Sequence, residues 1–274
     1  MEHEHDAVMI EAAARWLGAH ALPAFGTALL LLLLGCALLW RLLHRWIVPA
    51  QASTLPPGAF LFTRLALGFA VLVAGASVFA EVAEEINGDA VVLGRADQAM
   101  ADEIARSVPR GALQVFAWLT RLGDVLTISV LCVVVAAVLV WRGRRGLALG
   151  WVVAVAGNGV LNPLLKLIFE RARPVHDVTL ATADGFSFPS GHSSGSVVAY
   201  GMLAYVLART LPQRWHLPAA LAAAAVAFTV GCSRIFLRVH FASDVLAGFA
   251  SGFAWLAVCI MSIELTRHYR RRMQ

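Results

Sequence analysis

The chain has 274 residues and a formal net charge of +5, and 59% of its residues are hydrophobic while only 14% are charged. Its mean hydropathy is +0.74. A soluble domain of this length cannot bury so much apolar surface, so the composition predicts a polytopic helical membrane protein. The basic residues cluster at the ends of apolar runs rather than on one soluble face, which argues against a nucleic-acid-binding protein.

Residues 1–58 are predicted to form a tail, one extra transmembrane helix and a cytoplasmic loop. Residues 1–20 are polar and acidic, and we expect a solvated tail there, in which the run His3–Asp6 could bind a metal only adventitiously. No basic n-region of a signal peptide is evident. An apolar run follows at about residues 21–40, and prolines and a glycine then indicate a loop over 41–58.

Residues 59–266 are predicted to form a six-helix domain, followed by a basic cytoplasmic tail over 267–274. Its six apolar runs lie at about 60–80, 125–141, 146–165, 194–211, 217–232 and 245–263. The acidic-leaning segment 81–121 is predicted to form short interfacial helices and loop outside the core. The predicted fold class is therefore all-α, a polytopic transmembrane helix bundle with a six-helix core and one additional N-terminal helix.

The charge distribution predicts which helix ends lie together. We place the basic loops and the basic tail on the cytoplasmic side, following the positive-inside rule. These segments are 41–58, 142–145, 209–216 and 267–274. The acidic N terminus and the helix ends that carry the chain's main polar clusters then all fall on the opposite side. The distribution of basic residues and the positions of the polar clusters therefore agree on seven helices and on an outward-facing polar site.

The first polar cluster ends the fourth apolar run. Asn158, Asn162 and Lys166, the only lysine, are spaced by four and share one helix face. A polar stripe in a membrane helix usually faces a bundle interior or water, although a lone lysine could also snorkel to the interface. Arg173 precedes Pro174, which keeps it out of a helix, and its planar fork suits phosphate oxygens. By itself this pattern is a weak signal.

The second cluster, Pro189-Ser190-Gly191-His192, stands where a loop becomes the fifth apolar run. Serine is a good N-cap, glycine lets backbone N–H groups approach an anion, and a helix N terminus adds positive potential. His192 could there protonate a leaving oxygen. A simple capped helix start would carry the same residues.

The third cluster is Ser233-Arg234 followed by His240 and Asp244, which are four apart and share one helix face. Asp244 can accept the Nδ1–H of His240, which leaves Nε2 free to attack phosphorus. Arg234 would neutralise phosphoryl oxygens as charge develops. A surface ion pair is the simpler interpretation, but it is disfavoured because ionisable groups are costly at the start of a membrane helix.

Together the three clusters resemble the signatures of the type 2 phosphatidic acid phosphatase superfamily, membrane lipid phosphatases that share their site with vanadium haloperoxidases. All three signatures occur in order and with the family spacing over 166–244. The resemblance implies that His240 is the nucleophile forming a phosphohistidine and that Asp244 orients it. It implies that His192 is the general acid and then the base that activates water. It also implies phosphate binding, without metal or cofactor, by Lys166, Arg173, Ser190, Gly191 and Arg234.

The resemblance implies an integral membrane phosphatase acting on a lipid phosphate or pyrophosphate, in a bacterial inner (plasma) membrane with a periplasmic active site. Phosphatidic acid, phosphatidylglycerophosphate, an isoprenyl pyrophosphate and a lipid A phosphate all remain candidate substrates. A lipid phosphotransferase would use the same site, with a second lipid replacing water. A transporter, the alternative from another class, should show mid-helix charges and internal repeats, and neither is visible.

Some features keep two interpretations. Arg171 and Arg238 lie beside the clusters and either contact a headgroup or are merely interfacial. The loop 175–188 is either a lid or a plain connection, and its ionisable residues are His176, Asp177 and Asp184. Gly248 and Gly252 form a GxxxG pattern on the last helix, for which we expect close packing inside the bundle rather than a dimer face.

Overall fold

The structure is a computed structural model that describes residues 2–47, 57–87, 91–174 and 184–273. This part of the chain forms ten α-helices and contains no β-strand, which confirms the all-α prediction. Short 3₁₀ turns at Thr120–Gly123 and Gln213–Trp215 connect α5 to α6 and α8 to α9. The helices are α1 (Glu2–Ala19), α2 (Ala21–Ile47), α3 (Pro57–Asn87), α4 (Val91–Ser107), α5 (Arg110–Leu119), α6 (Val125–Trp141), α7 (Arg145–Phe169), α8 (Gly191–Thr210), α9 (His216–Phe236) and α10 (Ala242–Arg272).

A few predictions fall on residues that the structure does not describe. They concern residues 48–56 of the loop predicted over 41–58, and His176 and Asp177 of the loop 175–188. The remaining residues of the first loop are helical, 41–47 in α2 and 57–58 in α3, so the loop prediction was wrong there. The side chains of the run His3–Asp6 also lie outside the described set.

The seven predicted apolar runs correspond to α2, α3, α6, α7, α8, α9 and α10. By length and composition, α2, α3, α7, α9 and α10 can cross a membrane. The residues 110–141 add a sixth span if α5 and α6, which meet at a bend of 42°, cross as one. α8 is not among these candidates, because three serines and His192 lie within its first six residues. Its polar start belongs to the site described below.

The largest buried apolar cluster lies among α6, α7, α8, α9 and α10. A Cβ at Gly248 would lie 2.6 Å from the carbonyl oxygen of Ser190, and a Cβ at Gly252 would lie 3.0 Å from Cα of Ser194. The GxxxG pattern therefore packs α10 against α8 inside the bundle, as predicted. The largest fully buried apolar side chains of this core are Trp151, Val198 and Met202.

The N-terminal segment is a helix rather than the solvated tail that we expected. α1 packs along α4, with Ala14 buried and the hydroxyl of Ser107 donating to the carbonyl of Gly18 at 3.0 Å. A Cβ at Gly18 would approach Glu103 to 2.7 Å, so the two helices are in close contact. The expectation was wrong because tertiary packing of one helix face outweighs the polar average of the segment.

The segment 81–121 contains the short helices that were predicted, α4 and α5, but α3 continues further than expected, to Asn87. The expectation that this segment lies outside the core is wrong, because Ile104, Val108 and Phe116 form a buried apolar cluster with Phe236 of α9. Asp97 of α4 is only 5% exposed and reaches the candidate site through Arg171. The segment therefore contributes to the site directly.

Candidate active site

The ends of α7, α8 and α9, the start of α6 and the link before α10 meet at one cavity of about 600 Å³. Two predicted site residues, Ser190 and Asp244, are fully buried beside it, and the Ser190 N–H donates to the Asp244 carbonyl at 2.9 Å. The structure therefore brings all three sequence clusters together. The six other predicted site residues line the cavity and are Lys166, Arg173, Gly191, His192, Arg234 and His240.

His240 lies in the short link between α9 and α10 and is 3% exposed. Its Nε2 is 3.1 Å from Nη1 of Arg173. Because a guanidinium can only donate, Nε2 accepts and carries no proton. The proton is therefore on Nδ1, which faces Oδ2 of Asp244 at 3.4 Å. This is the tautomer expected from the sequence, and burial lowers the pKa of His240 to about 3, which keeps the imidazole neutral.

Asp244 uses both of its oxygens inside the protein. Oδ1 accepts from Nη1 of Arg171 at 2.6 Å, and Oδ2 accepts from the Phe241 N–H at 2.9 Å. Oδ2 also accepts from the hydroxyl of Ser187, whose Oγ lies 3.3 Å from Nδ1 of His240. Ser187 therefore bridges the long His240–Asp244 contact and helps to fix the carboxylate.

Arg171 has a role that neither of the two sequence interpretations included. Its guanidinium, 12% exposed, pairs with Asp97 at 2.9 Å as well as with Asp244. It also donates to Oγ of Ser243 at 2.7 Å, and the Ser243 hydroxyl and N–H both donate to Asp97. Burial raises the pKa of Asp97, and Ser243 and Arg171 oppose that change. Arg171 thus connects Asp97 of α4 to Asp244, the carboxylate that contacts His240. Asp97 and Arg171 are 74 positions apart in sequence.

His192 has an aspartate partner that the sequence analysis missed. Its Nε2 lies 2.9 Å from Oδ1 of Asp124, the N-terminal cap residue of α6. The Asp124 side chain makes no capping hydrogen bond and faces the histidine instead. A Cβ at Gly123 would lie 3.0 Å from Cδ2 of His192 and 2.4 Å from Val230, so this turn can approach the histidine because it has no side chain there. The sequence alone could not indicate this contact, because an aspartate before an apolar run is typical of an ordinary helix N-cap.

Arg234 is 3% exposed, and its Nη1 donates to Oγ1 of Thr120 at 2.9 Å. Its buried Nε has no hydrogen-bond acceptor among the described residues. A buried donor without an acceptor is costly, so an anion in the cavity that Arg234 lines would relieve this cost. The arrangement supports the predicted phosphate-binding role.

Lys166 and Ser190 make local contacts as well. Nζ of Lys166 donates to the carbonyls of Phe186 at 2.5 Å and Ser187 at 3.2 Å. Oγ of Ser190 caps α8 by accepting from the Ser193 N–H at 3.4 Å, as expected for an N-cap, and it does not line the cavity. Lys166 therefore presents its charge to the cavity while it holds the loop that precedes Ser190.

Arg173 has all five of its N–H groups directed at protein acceptors. Four of these acceptors are backbone carbonyls, so the guanidinium holds the loop before α8 to the link before α10. Burial lowers the pKa of Arg173 below its ordinary value. The acceptors are the carbonyls of Asp184, Gly185, Phe186 and Val239 and Nε2 of His240.

The polar stripe on α7 faces the bundle interior, as predicted. Asn158 donates to Oγ of Ser194 at 3.4 Å, and Asn162 donates to the same oxygen at 3.3 Å and to the Pro189 carbonyl at 3.3 Å. Within the described ranges, no group of three or more His, Cys, Asp or Glu side chains is placed to hold a metal ion.

Comparison with known proteins identifies the family. A family model described as the PAP2 superfamily matches residues 146–267. Phosphatidylglycerophosphatase B of Bacillus subtilis (strain 168) is 33% identical over 141 residues, which cover 51% of this chain and 69% of that protein. The chain belongs to the PAP2 superfamily. The family expected from the three signatures is therefore confirmed.

Two other relatives are named for different activities. The lipid A 1-phosphatase of Rhizobium johnstonii is 29% identical over 180 residues, covering 55% of this chain and 70% of that protein. The decaprenylphosphoryl-5-phosphoribose phosphatase of Mycobacterium tuberculosis is 34% identical over 108 residues, covering 37% of this chain and 55% of that protein.

The fold matches a solved PAP2 structure. The crystal structure of a transmembrane PAP2-type phosphatidylglycerolphosphate phosphatase from Bacillus subtilis aligns with a TM-score of 0.63 at 28% identity, covering 73% of this chain and 98% of that chain. Together with the apolar helices, this shows that the protein is an integral membrane protein with the transmembrane PAP2 fold.

Proposed function

We propose that this PAP2 protein is a membrane lipid phosphatase that hydrolyses a lipid phosphate or pyrophosphate through a phosphohistidine at His240. The observation that carries the proposal is the shape of the cavity. The same 600 Å³ space that holds both histidines and three cations continues as a cleft between α6 and α7. Both helices belong to candidate membrane spans.

The cleft is suited to a hydrocarbon chain. Its α6 side includes Val125, Ile128 and Val133, and its α7 side includes Val155 and Gly159. An apolar pocket with a few convergent polar groups is the usual form of a small-molecule site. A lipid could therefore place its phosphate at the helix ends while its chain stays between α6 and α7, inside the bilayer.

In the first step, Nε2 of His240 attacks phosphorus as the bond to the leaving oxygen breaks. The proton on Nδ1 stays in place, and Asp244 stabilises the positive charge that develops on the imidazole. Lys166 and Arg234 stabilise the phosphoryl oxygens, as fixed donors do where charge develops. His192 gives its proton to the leaving alkoxide or phosphate.

In the second step, His192 takes a proton from water, and the water oxygen attacks phosphorus as the phosphorus–nitrogen bond breaks. His240 returns to its neutral form and phosphate leaves. Burial and the charge of Arg234 lower the pKa of His192 to about 4, and the hydrogen bond to Asp124 opposes this change. Asp124 therefore acts as a positioning residue that holds the His192 ring and favours the protonated imidazole that the first step needs. Arg173 places His240 and contributes fixed positive charge.

The relatives support the substrate class without selecting its member. These relatives are named as phosphatases of a phosphatidylglycerophosphate, a lipid A and a decaprenylphosphoryl compound, all of which carry a phosphate on a lipid with long apolar chains. The proposal includes a periplasmic active site in a bacterial inner membrane, because the basic loops lie at the opposite ends of the helices.

The test is phosphate release by purified protein in detergent, measured with chelator present across four candidate lipids and with p-nitrophenyl phosphate. The decisive variant is Gly159→Phe, since a Cβ at Gly159 meets no atom within 4 Å and the ring would fill the cleft. It should raise KM for long-chain substrates at least roughly tenfold with kcat unchanged, because the lost contact with the chain is the same in the ground state and the transition state. Turnover of the soluble aryl phosphate should be unaffected.

The matched control is Gly26→Phe on α2, where a Cβ also meets no atom within 4 Å. It should behave like the wild type with every substrate. Equal loss of lipid and aryl phosphate turnover in Gly159→Phe would contradict the cleft, and the absence of phosphate release from all substrates would contradict a phosphatase. Transfer of phosphate to a second lipid without release would identify a phosphotransferase instead.

A further inference from the structure

A second cavity of about 580 Å³ lies where α7 begins and α10 ends. Arg145 lines it, and Lys166 of the candidate active site lies 21 positions later on the same helix. At 1.5 Å per residue, the two side chains are separated by about 31 Å along the axis. This is close to the thickness of a bilayer's hydrocarbon core, about 30 Å. The two cavities therefore open at opposite faces of the membrane.

The second cavity has a basic opening, formed by arginines and called the mouth below, and an apolar wall formed by α7 and α10. No carboxylate is present among its described lining residues. On the wall, Leu149 is 66% exposed and Val153 is 49% exposed, and Trp255 of α10 faces the same space. The wall is therefore open to the bilayer along α7. The mouth carries Arg144, Arg145, Arg267 and Arg270.

Glycines keep the mouth open. Gly143 and Gly146 both line the cavity, and a Cβ at either position would meet no atom within 4 Å. Deeper in the cavity the packing is tight, because a Cβ at Gly150 would lie 2.5 Å from Cδ1 of Ile263. The cavity therefore has space at the level of the arginines and a closed apolar floor.

We propose that this cavity, the basic pocket, binds an anionic phospholipid of the leaflet opposite the active site. Its phosphate would lie among the arginines, whose planar forks bind phosphate oxygens, and one acyl chain would lie along the exposed wall of α7. Basic pockets between transmembrane helices attract anionic headgroups, and a volume of this size suits a ligand. The apolar wall favours a lipid over a soluble anion. The inference does not depend on the proposed phosphatase activity.

The test is native mass spectrometry of the full chain in mild detergent, titrated with phosphatidylglycerol or with phosphatidylcholine of the same chains. The wild type should retain phosphatidylglycerol selectively. The variant Arg145→Gln/Arg270→Gln should weaken this binding roughly 30-fold, because each basic residue near an anionic surface contributes roughly a factor of five. Adducts at the active site are common to all variants and cancel in the comparison.

The matched control is Arg142→Gln/Arg214→Gln, which removes the same charge at the same end of the bundle from residues that do not line the cavity. It should bind like the wild type. Gly146→Phe, which keeps every charge and fills the mouth, should lose binding as well. Thermal unfolding of each variant, followed by tryptophan fluorescence in the same detergent, reports that it is folded.

Any one of four results would overturn the proposal. The first is equal retention of the two lipids by the wild type. The second is a loss in Arg145→Gln/Arg270→Gln no larger than that in the control. The third is undiminished binding by Gly146→Phe. The fourth is displacement of phosphatidylglycerol by millimolar inorganic phosphate, which would identify a soluble-anion site.

Discussion

Replacing Arg171 with glutamine should destabilise the protein strongly, because one guanidinium compensates two buried carboxylates. The Asp97 and Asp244 side chains are 4% and 0% exposed, and Arg171 lies 2.9 and 2.6 Å from them. Removing one partner of a buried ion pair costs about 3–5 kcal/mol, since the remaining charge is left uncompensated. For a chain of this size, such a loss corresponds to a decrease in Tm of roughly 10 °C.

The assay is thermal unfolding of the purified variants in one detergent, followed by tryptophan fluorescence. Arg106→Gln is the matched control, because Arg106 pairs with Glu103 at 3.0 Å but is 61% exposed, and exposed pairs contribute at most about 1 kcal/mol. Adding Asp97→Asn to Arg171→Gln removes one uncompensated carboxylate, so the double variant should be more stable than Arg171→Gln alone.

The reasoning would be refuted if Arg171→Gln unfolded within about 2 °C of the Arg106→Gln control, a difference that corresponds to less than about 1 kcal/mol. A double variant less stable than Arg171→Gln alone would also refute it. Either result would mean that the pairing of α4 with the carboxylate behind His240 does not contribute to the folded state.

Three further predictions concern chemistry and topology. Asp124→Asn should lower turnover of a lipid phosphate roughly tenfold, which is part of the roughly 10²–10⁴-fold that general acid catalysis supplies. It should affect an activated aryl phosphate less, because that leaving group needs less protonation by His192. Equal losses with the two substrates would indicate that Asp124 has a structural role only. Phosphate release should survive EDTA and should be inhibited by vanadate, which can occupy the site as a five-coordinate mimic on His240; loss with EDTA that Mg²⁺ or Zn²⁺ restores would contradict the proposed site. In a protein without the native cysteines, a cysteine introduced at Asp184 should react with a membrane-impermeant thiol reagent on intact cells, and one at Arg144 only after permeabilisation. The reverse pattern would contradict an outward-facing site.

The sequence predicted the helices and the assembly of the site because both depend on strong local signals. Long apolar runs placed the bundle helices, and the parity of helix ends brought Lys166, His192 and His240 to the same side. The spacing of His240 and Asp244 predicted their pairing and the tautomer that the contact with Arg173 requires. These features need only helical periodicity and the cost of charge in a membrane.

The missed features all depend on contacts between distant segments. Asp97 and Arg171 are 74 residues apart, and Asp124 and His192 are 68 apart, so no local pattern connects either pair. α1 was missed because its packing surface on α4 is a narrow stripe within a polar segment.

The central claim is that His240 carries the phosphoryl group and that His192 acts on the leaving group and on water. The most direct test is a single-turnover reaction with labelled p-nitrophenyl phosphate, quenched in alkali because phosphohistidine is destroyed by acid. The account predicts that His192→Ala accumulates a phosphoenzyme on His240, since the first step is partly rescued by the activated leaving group while water activation stays slow. His240→Ala should form none. A phosphoenzyme in His240→Ala, or a His192→Ala variant that is equally inactive with both leaving groups and traps nothing, would contradict the account.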